Sequence, residues 1–161
     1  MATWCNRILI ATILVLATCA IRSTANEPPA DLCSLLPAAD VSKALGQTYS
    51  APEKSVAPRP FKDTNEGTDC NYNAKGGKLW FRAYVDPSPS ESKDLFARLS
   101  KYYGPQTPVP GLGDEAYLDA KHAIHVRKGR VRYYLNITPV GSVSAVEKQL
   151  TELANRVAAQ L

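Results

Sequence analysis

Sulfur, imidazole and excess charge are all scarce in this chain of 161 residues. The 4 cysteines, Cys5, Cys19, Cys33 and Cys70, never form a Cys-x-x-Cys pair, so dithiol redox chemistry and zinc-ribbon chemistry have no basis. Only 2 histidines are present, His122 and His125, and no Gly-x-Ser-x-Gly elbow exists to mark a serine hydrolase. Gly111-x-Gly113 lacks the third glycine and the strand–turn–helix context of a dinucleotide loop, and its neighbouring prolines read as a rigid turn. The formal net charge is +4, too small a basic excess for a nucleic-acid binder. Long apolar runs are missing with one exception, and that exception lies at the start of the chain.

Arg7 is the only charge before an apolar run from Ile8 to Ala20, and Ser23-Thr24-Ala25 follows with small residues. A positive start, a short apolar middle and a small-residue cut are the layout of an export signal. The run is 13 residues long and is stopped by Arg22, whereas a bilayer-spanning helix needs about 20. Residues 1–25 are therefore read as a signal peptide, with cleavage after Ala25. Leu16-Ala17-Thr18-Cys19 offers a rival cut, since it resembles a lipobox with Thr18 in place of the usual small residue before the cysteine. Lipidation of Cys19 would tether the protein to a membrane, which is the one membrane contact the sequence suggests.

Residues 26–161 form one domain-sized stretch. Its net charge is +2 once Arg7 and Arg22 are removed. Cys33 and Cys70 remain, and in an oxidising compartment they are expected to pair as a structural staple. Asn26 to Ala30 reads as a loose tail. Pro37 to Leu45 reads as a helix that starts on Pro37, stops at Gly46 and turns Leu36, Val41, Ala44 and Leu45 inward. Tyr49 to Gly67, with Pro52, Pro58 and Pro60, reads as a long loop with room for a short edge strand near its start.

Two strands then surround Lys75-Gly76-Gly77. In the second, Lys78 to Asp86, Leu79, Phe81, Ala83 and Val85 alternate with Trp80, Arg82 and Tyr84. Ser88-Pro89-Ser90-Glu91 is a capping box that opens a helix with Leu95, Phe96, Leu99 and Tyr102 as its apolar stripe. Asp114 to Asp119 reads as a strand. A hairpin follows around Gly129, with His125, Arg127, Arg132, Tyr134 and Asn136 on its polar face. The last helix is capped by Ser142 or Ser144, the latter boxed with Glu147, and carries Val143, Val146, Leu150, Leu153, Val157 and Leu161 on one side. The order α-β-β-α-β-β-β-α predicts an α+β domain, an antiparallel sheet with flanking helices.

Three blocks carry a family resemblance: Cys33-Ser-Leu-Leu-Pro-Ala-Ala-Asp-Val-Ser-Lys-Ala-Leu-Gly46, Gly67-Thr-Asp-Cys70 with Tyr72, and Pro108-Val-Pro-Gly-Leu-Gly-Asp-Glu-Ala-Tyr117 followed by Val126-Arg-Lys-Gly129. With these the chain resembles a family of small exported bacterial envelope proteins, often lipoproteins. The resemblance implies export, the Cys33–Cys70 bond and the α+β fold, and it brings no catalytic residues with it. A PsbP-like sandwich is a looser architectural analogy.

The favoured function is a non-enzymatic envelope binding or interaction module with an envelope protein or a small ligand as partner, and with no cofactor or metal. Its contact residues would be Trp80, Arg82, Tyr84, His125, Arg127, Arg132, Tyr134 and Asn136, because aromatic and arginine side chains are favoured at interfaces, and the site would be that face or a pocket between it and the long loop. The bland alternative is a sheet face left to water or covered by a helix. The competing function is a hydrolase or metal-dependent enzyme using His122 or His125 with Asp114, Glu115 or Asp119. It faces two obstacles. Residues three apart on a strand face opposite ways, and adjacent Asp114 and Glu115 should do the same. The bland alternative to such a site is that His125 sits on a solvated sheet face and His122 in a hairpin turn.

Overall fold

The computed structural model describes residues 27–138 and 142–161. The leader, both cleavage sites, Cys19 and Asn26 lie outside them, as does the side chain of Val143. Among the described residues no helix is long and apolar enough to cross a membrane. The domain is α+β: a seven-stranded antiparallel sheet with three α-helices.

A 3₁₀ turn, Leu32–Leu35, leads into helix α1, Ala38–Leu45. Pro37 stands just before this helix, one position earlier than expected, and Gly46 ends it with a left-handed φ of 69°. Strand β1, Glu53–Ala57, comes from the expected loop region and pairs along β2, Gly67–Ala74. Strand β3, Gly77–Val85, pairs with β2 on one side and with β7, Val131–Thr138, on the other. Helix α2, Pro89–Tyr102, then carries the chain away to β4, Thr107–Pro108, at the far edge. Strands β5, Glu115–Leu118, and β6, Ile124–Lys128, step back toward β7, giving the order β1-β2-β3-β7-β6-β5-β4. Helix α3, Val143–Ala158, closes the domain.

This topology decides which face each helix covers. The link from central β3 to edge β4 must cross β7, β6 and β5, and α2 makes that crossing over the polar face. Helices α1 and α3 lie on the other face, where the main core forms. Leu79, Phe81, Leu135, Ile124 and Val126 from the sheet meet Leu36 and Val41 below, and Leu150, Leu153 and Val157 of α3, all fully buried. Cys33 and Cys70 are joined by a disulfide that fastens the 3₁₀ turn to β2. Tyr72 donates its hydroxyl hydrogen to Leu36 O, and Tyr133 to Ala154 O at 2.7 Å, so each buried phenol is satisfied by a helical-layer carbonyl.

Several local expectations are corrected. Ser88 caps α2 by accepting from Glu91 N at 3.2 Å, but the Glu91 carboxylate reaches the Ser88 hydroxyl rather than its backbone. Tyr102 is 75% exposed and lies outside the apolar stripe, because the helix turns it away from the sheet. The Ser144–Glu147 box does not form: α3 begins at Val143, so Ser144 is already helical, and Glu147 pairs with His122 Nδ1 at 3.2 Å. Glu27 pairs with Arg130 at 2.8 Å, so the described part of the expected loose tail is held against the β6–β7 hairpin.

Candidate functional site

Antiparallel register lines the polar face with cross-strand rows. One row runs Glu53, Asn71, Trp80, Asn136; the next runs Ser55, Asp69, Arg82, Tyr134, His125, Tyr117; a third runs Tyr84, Arg132, Arg127, Glu115. All eight sequence-predicted contact residues therefore share one face. The cover of α2 and the loop of residues 58–66 divides them. Trp80 and Asn136 are half-buried at the uncovered end, while Tyr84, His125, Arg127 and Arg132 are buried.

The buried arginines are held by carboxylates and rings. Arg132 donates from Nε and Nη2 to Asp86 at 2.6 and 2.8 Å, with both side chains 3% exposed or less, and its guanidinium lies over Tyr84. Arg127 donates to Asp114 at 2.9 Å and to Glu115 at 3.3 Å. Two carboxylates expected on opposite faces thus converge on one cation. The reason is that Asp114 precedes β5, in a loop bent by Gly113 with a left-handed φ of 60°. Arg82 gives Nε and Nη2 to Asp69 and lies over the Tyr134 ring. Arg127 and Arg132 are structural ion pairs in this geometry, so neither presents a free charge to a partner.

His125 is corrected from a solvated to a buried position. It stacks between Tyr117 and Tyr134 with centroids 4.7 and 5.5 Å away, and Tyr103 from the end of α2 leans on it at 4.7 Å. Its Nε2 lies 3.0 Å from Asp119 Oδ2. Burial pushes the Asp119 carboxyl up, but the His125 hydrogen bond and the Ala123 and Lys121 N–H groups outweigh it, leaving the carboxyl below its ordinary range. An ionised Asp119 requires the hydrogen on His125 Nε2. His122, at φ 61°, occupies the turn and turns to Glu147, so the two histidines do not converge. Among the described residues no group of three or more His, Cys, Asp or Glu is placed to hold a metal ion.

Between the polar face and its cover lies a cleft of about 30 Å³. Its floor is Arg82, Arg132, His125 and Tyr134; Phe96, Leu99 and Tyr103 of the α2 segment form one wall, and Pro60 from the 58–66 loop forms the other. Burial pushes the Tyr84 hydroxyl up to about 12 and raises those of Tyr103 and Tyr134, so all three stay protonated donors at neutral pH. The long loop that carries Pro60 was expected as a possible wall of the site, but sequence reasoning missed Phe96, Leu99 and Tyr103. The periodicity of Phe96 and Leu99 marks α2 as amphipathic, but only the β3–β4 crossover places it over the arginines.

Fold and cleft together define a class: an α+β domain with a disulfide-fastened core on one sheet face and a small aromatic–arginine cleft on the other. The fold is similar to that of the extracellular domain of PknH from Mycobacterium tuberculosis, with a TM-score of 0.53 and 11% sequence identity over 83% of this chain and 97% of that domain. No family model matches the chain, and no curated protein matches it.

Proposed function

We propose that this chain is an exported, non-enzymatic binding module, related to the small bacterial envelope proteins its sequence blocks resemble, with its contact site in the cleft beneath α2. The observation that carries the reading is the cleft itself, where aromatic rings and guanidinium groups from three strands meet a helix and a proline of the 58–66 loop at one small opening. The export-signal pattern, the Cys33–Cys70 bond and the fold shared with an extracellular domain support work outside the cytoplasm. Cleavage before Cys19 would make the same module a lipid-anchored one.

Partner capture from envelope extract tests this reading. Leu99→Trp fills the cleft and is expected to abolish capture without loss of the folded circular-dichroism signal. Arg82→Gln is expected to weaken it. Unchanged capture by Leu99→Trp would sink the assignment of the cleft.

One observation keeps a hydrolase as a second reading: His125 and Asp119 have the spacing of a general base and its orienting carboxylate. Against it, the cleft lining offers no serine, threonine or cysteine as nucleophile, only protonated phenols. His125→Gln is expected to leave turnover of generic ester substrates at background.

A further inference from the structure

The hydrogen-bonding groups of the cleft are unequally committed. Arg82 uses Nε and Nη2 on Asp69, and its Nη1 has no partner among the described residues. The hydroxyls of Tyr103 and Tyr134 are likewise without a partner, whereas that of Tyr84 is given to Pro58 O at 2.9 Å. Arg82 Nη1 and the Tyr134 hydroxyl are not among the sealed, unpartnered polar atoms, so solvent reaches them, and the Tyr103 side chain is itself exposed. Behind them Arg132 Nη1 is sealed from solvent and also has no acceptor. The lining contains no carboxylate and no side-chain amide; Asp69 and Asp86 hold the arginines from outside it. With its hydrogen on Nε2 facing Asp119, His125 leaves Nδ1 as the one free nitrogen acceptor of the lining.

From this imbalance of donors over acceptors we infer that the cleft, read above as the contact site, takes a carboxylate: one anionic head bound by Arg82 Nη1 and the hydroxyls of Tyr103 and Tyr134. A guanidinium edge flanked by neutral O–H donors suits an oxyanion, and charge assistance strengthens each bond. Size limits what enters. About 30 Å³ holds one or two waters, which is room for a carboxyl group and not for a whole ligand. The body of the ligand must therefore lie outside the cleft, against its more exposed lining residues, Pro60 and Tyr103. A small apolar acid and a peptide ending in a free carboxylate share this chemistry.

Titration calorimetry on the protein produced from the full-length chain distinguishes the sources. The probes are phenylacetate and phenylacetamide in one arm, and acetyl-Ala-Ala-Phe with a free or amidated end in the other. At least one acid is expected to bind about tenfold or more tightly than its amide. Binding only in the first arm identifies a small acid; binding only in the second identifies a peptide end. Arg82→Gln should remove the preference for acid over amide. Tyr103→Phe, which deletes a single hydroxyl from an exposed side chain, should weaken the acid several-fold with an unchanged melting temperature. Equal binding of acid and amide, failure of both acids at millimolar concentration, or indifference to both substitutions overturns the carboxylate assignment. Amide binding that Leu99→Trp abolishes would overturn this inference alone and leave the cleft reading standing, whereas partner capture indifferent to Leu99→Trp overturns the cleft reading itself.

Discussion

Asp119 ties the turn before β6 to the polar face. Its Oδ1 accepts from Lys121 N and Ala123 N at 2.8 and 2.9 Å, holding the turn that contains His122, and its Oδ2 faces His125. A carboxyl whose folded pKa lies below its unfolded value contributes stability above the unfolded value of about 4, and loses it as pH falls through the folded value. Urea unfolding of the wild type should therefore weaken as pH drops below about 4, and Asp119→Asn should flatten that part of the profile. At neutral pH the same substitution should cost about 1–3 kcal/mol, because one of three buried donors loses its charged acceptor. The residue types at this site were legible in the sequence, and so was the divergence of His122 from His125. The burial of His125 was not, because its cover comes from Tyr103 and the 58–66 loop, far away along the chain.

Helix α2 is held by a thin seam, with Ser92, Phe96 and Leu99 its buried residues, so its ends matter. Ser88→Ala removes the cap on Glu91 N and should lower thermal stability by about 1 kcal/mol, read as a shift in melting temperature. On the opposite side of the cleft, Gly67 is required for a different reason. A Cβ there would stand 2.5 Å from Ala83 O and 2.6 Å from the Tyr84 ring. Gly67→Ala should therefore displace Tyr84, break its bond to Pro58 O and destabilise the fold by about 1–3 kcal/mol in denaturant unfolding. The alternation in residues 78–85, the Gly129 turn and the stripe of α3 made most elements readable from the sequence. Strand order was not readable. Local pattern says that β5 to β7 are strands and leaves the proline-rich β4 unread, but only long-range pairing says that β7 inserts beside β3 and sends α2 over the arginines.

At the scale of the molecule, two unlike faces share one sheet: a closed apolar core below and a lattice of charges and rings above. The disulfide belongs to the closed face. Replacing Cys33 and Cys70 by alanine opens a loop of some 38 residues and should reduce stability by about 4 kcal/mol in chemical denaturation. The polar face should keep its ion pairs in whatever fraction remains folded. Trp80 lies in the row next to Arg82, half-buried, with the Lys78 ammonium 5.3 Å from its ring centre. Of the chain's 2 tryptophans it alone is among the described residues. An indole beneath a cation responds in colour and brightness when that cation or the neighbouring row shifts. The protein thus carries its own optical reporter beside the cleft, and movement of α2 or of Arg82 can be followed by intrinsic fluorescence without attaching a dye.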